Sequence, residues 1–177
     1  MRILKQSTKT RPRLSLILLD WGVRESLHVL HYLKHQTIPQ EAFEVVFIEY
    51  YDTVSKAAKE FESSIDTWVL LEMPSDCYYH KHLMYNVGTV LSNGEILMFA
   101  DSDAMVRPTF VETVLKAFDR VGALLGQGVP LRGLCGRVCN RRLYRLHVLL
   151  IERLRVFEQH TELVLEEKHK NTTALLI

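Results

Sequence analysis

The sequence predicts an α/β protein with a mostly parallel sheet, helices on both faces, and a helical tail. Three observations carry that prediction. Four short apolar runs, at Leu14–Leu19, Phe43–Glu49, Trp68–Glu72 and within Gly94–Asp103, are rich in leucine, β-branched or aromatic residues and have strand rather than helix length. Segments with helical spacing separate them, and strand–helix alternation favours parallel pairing with crossover helices. Acidic residues stand at or just beyond the carboxyl ends of three runs, Asp20, Glu49 and the pair Asp101 and Asp103. Open parallel sheets hold their ligands at that edge.

Each element has its own signal. Met1 to Arg13 is basic and polar and lacks the apolar stretch of a signal peptide. Leu14–Leu19 is the first buried strand. Arg24 to Gln36 follows as a helix, with Leu27, Leu30 and Leu33 at helical spacing and Thr37-Ile38-Pro39 stopping it. Phe43–Glu49 is the second strand, and Val54 to Phe61 a short helix. Trp68–Glu72 is the third strand, broken by Met73-Pro74-Ser75. His80 to Ser92 suits a helix that ends at Asn93-Gly94. The strand carrying Asp101 comes next. Pro108 opens a further helix running to about Asp119, with Phe110, Val114, Leu115 and Phe118 as its inner face.

Beyond that helix the chain changes character, which divides it into a domain over 14–119 and a divergent tail over 120–177. Between Arg120 and Arg155 there are eight arginines and no lysine, and glycines cluster from Gly122 to Gly136. Leu143 to Phe157 forms a leucine stripe ringed by arginines. It reads as a helix packed on the domain, or as a basic helix lying on an anionic membrane surface. Glu162 to Ile177 reads as a frayed, mixed-charge tail.

With 177 residues and 47% apolar content, the chain can bury a sizeable core. A formal net charge of +1 argues against nucleic acid as the main partner. Cys77, Cys135 and Cys139 are odd in number and lack CxxC spacing, which favours a reducing compartment. A metal cluster of these cysteines with His80 and His82 is the alternative use for them. No segment is long and apolar enough to span a bilayer. The expectation is a cytoplasmic protein, with peripheral contact at the inner membrane face left open.

The acidic pair is the most informative feature. Side chains alternate along a strand, so Asp101 and Asp103 are expected to leave on the same side. Adjacent carboxylates are costly unless a cation or an open, wet site offsets them. A hard divalent ion, held by one or two carboxylates and by substrate phosphates, does so. The competing reading is a solvated acidic turn.

Three blocks of the first 120 residues resemble the amino-terminal half of family-2 glycosyltransferases, which have a GT-A, Rossmann-like fold. Leu14 to Pro39 resembles the family's first strand, polar-aromatic turn, helix and terminal Gln-Thr-x-Pro. Phe43 to Glu49 resembles its second strand and terminal acid. Asn86-Val87-Gly88 through Pro108-Thr109-Phe110 resembles its Asn-x-Gly helix, Gly-Glu turn, DxD strand and following proline. The resemblance implies metal-dependent transfer of a sugar from a nucleotide-sugar donor to an acceptor that is a polysaccharide, lipid or protein. It implies a divalent cation, Mg²⁺ or Mn²⁺, held by Asp103 with Asp101 on the metal or on the ribose and metal-bound phosphates. It implies that Asp20 and Glu49 accept hydrogen bonds from the nucleoside; Trp21 is read either as stacking on the base or as ordinary packing, and Lys81 either as facing the diphosphate or as a solvated lysine.

This chain departs from the pattern at Leu19-Asp20-Trp21-Gly22, at Glu49-Tyr50 and at Tyr85, where the family shows Pro-Thr-Tyr-Asn, Asp-Asp and Arg. The family's acceptor half and its carboxylate base have no recognisable counterpart after Asp119, and no context singles out Glu152, Glu158 or Glu162. The end of the chain therefore reads as a divergent short form, a truncated reading or an out-of-frame end. A domain that binds nucleotide without sugar transfer is the second expectation. A phosphohydrolase using Asp101 as nucleophile and Asp103 as acid is the third; it lacks the later lysine and acidic partners such chemistry needs.

Overall fold

A computed structural model describes residues 1–23, 26–126 and 173–176. Its centre is strand β2 (Leu14–Asp20), in which all seven residues are buried. A strand covered on both faces has no use for polar alternation, and LSLILLD shows almost none. Strand β3 (Phe43–Tyr51) pairs parallel on one side of β2 and β5 (Ile96–Asp101) on the other. Strand β4 (Thr67–Met73) pairs parallel with β3. The four apolar runs are therefore the four central strands of a mostly parallel sheet.

Two edge strands are additions to the expected set. Strand β1 (Arg2–Lys5) lies antiparallel on β4. Its four residues, RILK, do not alternate apolar with polar and none is fully buried, so it carries no periodic apolar signal. Its charged termini suit an edge, where Arg2 and the terminal ammonium each sit 3.3 Å from the Glu72 carboxylate. At the other edge β6 (Thr173–Leu176) pairs parallel with β5, giving the order β1-β4-β3-β2-β5-β6. Thr173-Ala174-Leu175-Leu176, expected to fray, instead satisfies the backbone groups along the open side of β5.

Helices cover both faces. Helix α1 (His28–Leu33), α2 (Lys56–Glu60) and α4 (Phe110–Gly126) contribute to one core with Leu16, Leu18, Phe47 and Met98. Helix α3 (Lys81–Leu91) packs on the other face against Ile17, Ile48 and Phe99. Helix α1 is shorter than its periodicity suggests. Leu27 is its N-cap without a side-chain cap, and Arg24 and Glu25 lie outside the described residues. Helix α4 begins two residues after Pro108 and runs through the boundary drawn at residue 119. The helix expected over Leu143–Phe157 lies outside the described residues. Among the described residues no helix is long and apolar enough to cross a membrane.

Two glycines let these layers approach. A Cβ on Gly88 would lie 2.4 Å from Cγ2 of Ile17, so α3 can rest on β2 only at a glycine. A Cβ on Gly94 would meet the backbone nitrogen of Ser15 at 2.7 Å. The Gly94 N–H instead donates to Ser15 Oγ at 2.8 Å.

Candidate functional site

Parallel pairing brings the carboxyl ends of β3, β2 and β5 side by side. Asp20 is in register with Glu49, and Leu19 with Asp101, so three expected acids form a row along one sheet edge. The pleat then divides them. Asp20 continues the Leu14-Leu16-Leu18 side of β2, and Glu49 the Val45-Phe47 side of β3, towards α1 and α2. Asp101 continues the Leu97-Phe99 side of β5, towards α3.

On the α1–α2 face the acids are covered: Asp20 is 2% and Glu49 3% exposed. Glu49 Oε1 accepts from the Ser55 N–H and Oε2 from Trp68 Nε1, both at 2.7 Å. Burial pushes the Glu49 carboxyl above its ordinary value. The bonds from Ser55 and Trp68 oppose that shift, and the charge of Asp20 adds to it. Asp20 Oδ1 accepts from the Gly22 N–H at 3.3 Å. Glu49, expected to serve a nucleoside, thus commits each oxygen to a donor of the protein.

The α3 face is open. Asp101 has a side chain 55% exposed, and Lys81, the first residue of α3, places Nζ 3.9 Å from Asp101 Oδ1. The same Nζ lies 5.3 Å over the Tyr85 ring, which packs edge-on against Phe99 at 4.6 Å. Partial burial would lower the Lys81 pKa. The hydrogen bond with Tyr85 and the charges of Tyr85, Asp101 and Tyr79 outweigh it, so the pKa rises and the ammonium stays charged through neutral pH.

An aromatic group adjoins this pair. Trp21 stacks on Tyr79 with ring centroids 4.3 Å apart and planes 10° from parallel, and Tyr79 meets Tyr50 edge-on at 6.2 Å. The stack is set up by the end of β3. Tyr50 donates to the Tyr78 carbonyl at 3.0 Å and Tyr51 to the Cys77 carbonyl at 3.3 Å, which holds the segment before α3 over the sheet. Trp21, expected to stack on a base, already has a partner on one face. Sequence reasoning passed over Tyr79; the signal was the pair of aromatic doublets, Tyr50-Tyr51 after a strand and Tyr78-Tyr79 before a helix.

Asp103 differs from expectation in one respect. The strand ends at Asp101, and the Ala104 N–H donates to the Asp101 carbonyl at 3.3 Å, closing a turn. Strand alternation therefore stops before Asp103. Between the two acids Ser102 is fully buried and donates from Oγ to the Leu19 carbonyl at 2.5 Å. Asp101 and Asp103 both remain exposed.

As a donor set, two exposed carboxylates suit a hard cation that takes its other oxygens from phosphate and water. Among the described residues no three or more His, Cys, Asp or Glu side chains converge as a metal site in their own right. Cys77 is a free thiol, and Cys135 and Cys139, the other cysteines of the alternative cluster, lie outside the described residues.

No protein-family model and no curated protein matches the chain.

Proposed function

We propose that the chain is a metal-dependent glycosyltransferase of the family-2 type, with a GT-A fold, moving a sugar from a nucleotide-sugar donor to an acceptor. One observation carries this reading. The carboxyl edge of a parallel sheet presents Asp101 and the Asp103 turn together with the Lys81 ammonium, and an aromatic stack adjoins them. That combination suits a ligand with a flat ring and a diphosphate. Lys81 attracts the diphosphate, Asp101 and Asp103 supply hard oxygens, and the half-buried Trp21–Tyr79 stack supplies aromatic surface beside them for the base. A divalent cation bound there supplies Lewis-acid stabilisation of the departing diphosphate.

Binding and turnover with a panel of nucleotide sugars, with and without Mn²⁺ or Mg²⁺, test the reading. The expected result is nucleotide binding that needs metal, lost in Asp103→Asn while far-UV circular dichroism and Tm stay unchanged. Metal-dependent binding of wild-type strength in Asp103→Asn overturns it, as does the absence of binding across the panel.

A second reading, a domain that binds nucleotide without transferring sugar, is favoured by the two carboxylates that follow the acidic pair among the described residues. Glu112 bonds Thr37 and Lys116, and Asp119 pairs with Arg13, so each already serves a structural contact. Metal-dependent binding of nucleoside diphosphate without turnover on any tested donor selects this reading.

A further inference from the structure

We propose that Gln36 and Thr37, just beyond α1, are positioning residues for the turn that carries Asp103. The segment leaving β5 is tethered at both ends. At the near end Ser102 bonds the Leu19 carbonyl through Oγ, and its own carbonyl accepts from the Val29 N–H at 3.3 Å. At the far end the Gln36 side-chain amide uses every function it has. Nε2 donates to the Tyr32 carbonyl at 2.9 Å and the Arg107 carbonyl at 3.1 Å, and Oε1 accepts from the Val111 N–H at 3.0 Å. Thr37 adds its N–H to the Pro108 carbonyl at 2.9 Å and its hydroxyl to Glu112 at 3.0 Å.

The chemistry explains the residue types. Val111 lies in the first turn of α4, where backbone N–H groups have no partner within the helix. Arg107 precedes the helix and has a carbonyl to satisfy. Only a primary amide offers two donors and an acceptor in one plane, so one Gln can anchor itself to α1 and serve both groups. Residues 103–106 then span the gap between two pinned ends. With so little chain between the anchors, the place of Asp103 relative to Asp101 depends on these tethers as well as on the Ala104–Asp101 hydrogen bond that closes the turn. The consequence for ligand binding rests on the proposed cation–diphosphate site; the tether does not.

Amide hydrogen exchange on the full chain tests the tether, and titration with Mn²⁺ plus nucleoside diphosphate tests its consequence. In Gln36→Ala, exchange at residues 103–110 should rise about tenfold, the scale of one lost hydrogen bond, while β2 and β5 keep wild-type protection. The Mn²⁺-dependent Kd should weaken by a similar factor, and metal-free nucleotide affinity should not change. Gln36→Glu keeps the acceptor for Val111 but loses the donor to Arg107; it should release 103–107 while the start of α4 stays protected. Gln40→Ala is the control, because Gln40 Nε2 bonds only the Leu33 carbonyl of α1, at 3.0 Å. It should change neither readout.

Wild-type exchange over 103–110 in Gln36→Ala overturns the proposal. So does an equal rise in Gln40→Ala, or a rise spread over the whole sheet. If Gln36→Ala does not fold, Gln36→Glu and Thr37→Val decide by the same measurements. If the wild-type chain binds no nucleoside diphosphate with Mn²⁺, the proposed function fails and the exchange data still decide the tether.

Discussion

Glu44 has no exposed surface, and a carboxylate without water must find donors in the protein. It accepts from Ser15 Oγ at 2.6 Å and from both the backbone N–H and the side-chain amide of Asn93. These bonds tie β2 and β3 to the turn before β5 at the sheet edge opposite the candidate site. Glu44→Ala should cost about 2–4 kcal/mol in urea unfolding, because it orphans buried donors as well as removing the bonds. Nucleotide affinity should be unchanged in that variant. Glu49 makes a separate prediction with a pH sign. Its folded pKa is raised, so its contribution to stability is complete below the ordinary carboxyl value and is lost as pH rises through the folded value. Between pH 4.5 and neutrality, wild-type stability should therefore fall relative to Glu49→Gln, which cannot titrate. Parallel pH profiles for the two proteins in denaturant titrations would remove the assignment.

Among the elements, the contact of α3 with β2 is the tightest constraint. Ala is favoured over Gly within a helix by up to about 1 kcal/mol, but the added methyl of Gly88→Ala meets Ile17. Overpacking of this kind costs about 1–3 kcal/mol, so the clash wins and Gly88→Ala should destabilise. Placing it in an Ile17→Ala background should cancel most of that loss. Additive effects in the double-mutant cycle would contradict the packing account. Helix α2 gives a smaller effect. Ser55 caps it by accepting from the Ala58 N–H, and the Ser55 N–H serves Glu49. Ser55→Ala removes only the cap and should cost about 1 kcal/mol while leaving the Glu49 contact in place.

At the scale of the whole molecule, two cores share one sheet. Trp68 belongs to the face with α1, α2 and α4, and Trp21 packs against the face with α3. Every central strand contributes side chains to both cores, so neither face can lose its packing alone. The described domain should unfold in a single transition. The two tryptophans make that testable: with Trp21→Phe the fluorescence reports one face, and with Trp68→Phe the other. In each variant the fluorescence and far-UV circular dichroism midpoints should coincide. A fluorescence transition that precedes loss of secondary structure in one variant only would mean that the faces unfold separately. The same architecture assigns the site its two environments, a buried acidic side towards α1 and α2 and an open side with Lys81 and Asp101.

The sequence by itself determined the four central strands, their parallel order of alternation with helices, and the gathering of Asp20, Glu49 and Asp101 at one edge. Local apolar runs and turn residues carry that information, and Leu14–Asp20 is buried throughout as its composition requires. The edge strands escaped because each has only four residues, too few for a period to show, as Arg2–Lys5 illustrates. Tertiary structure alone decided which acids are covered. The pleat sends Asp20 and Glu49 to one face and Asp101 to the other, and Ser55 and Trp68, six and nineteen positions away, close on Glu49. It also decided where the strand ends. Ser102 is drawn to Leu19, 83 positions away, which stops β5 at Asp101 and leaves Asp103 in a turn. Hydrogen bonds between residues so distant in sequence depend on which strands become neighbours, and only the folded chain supplies that.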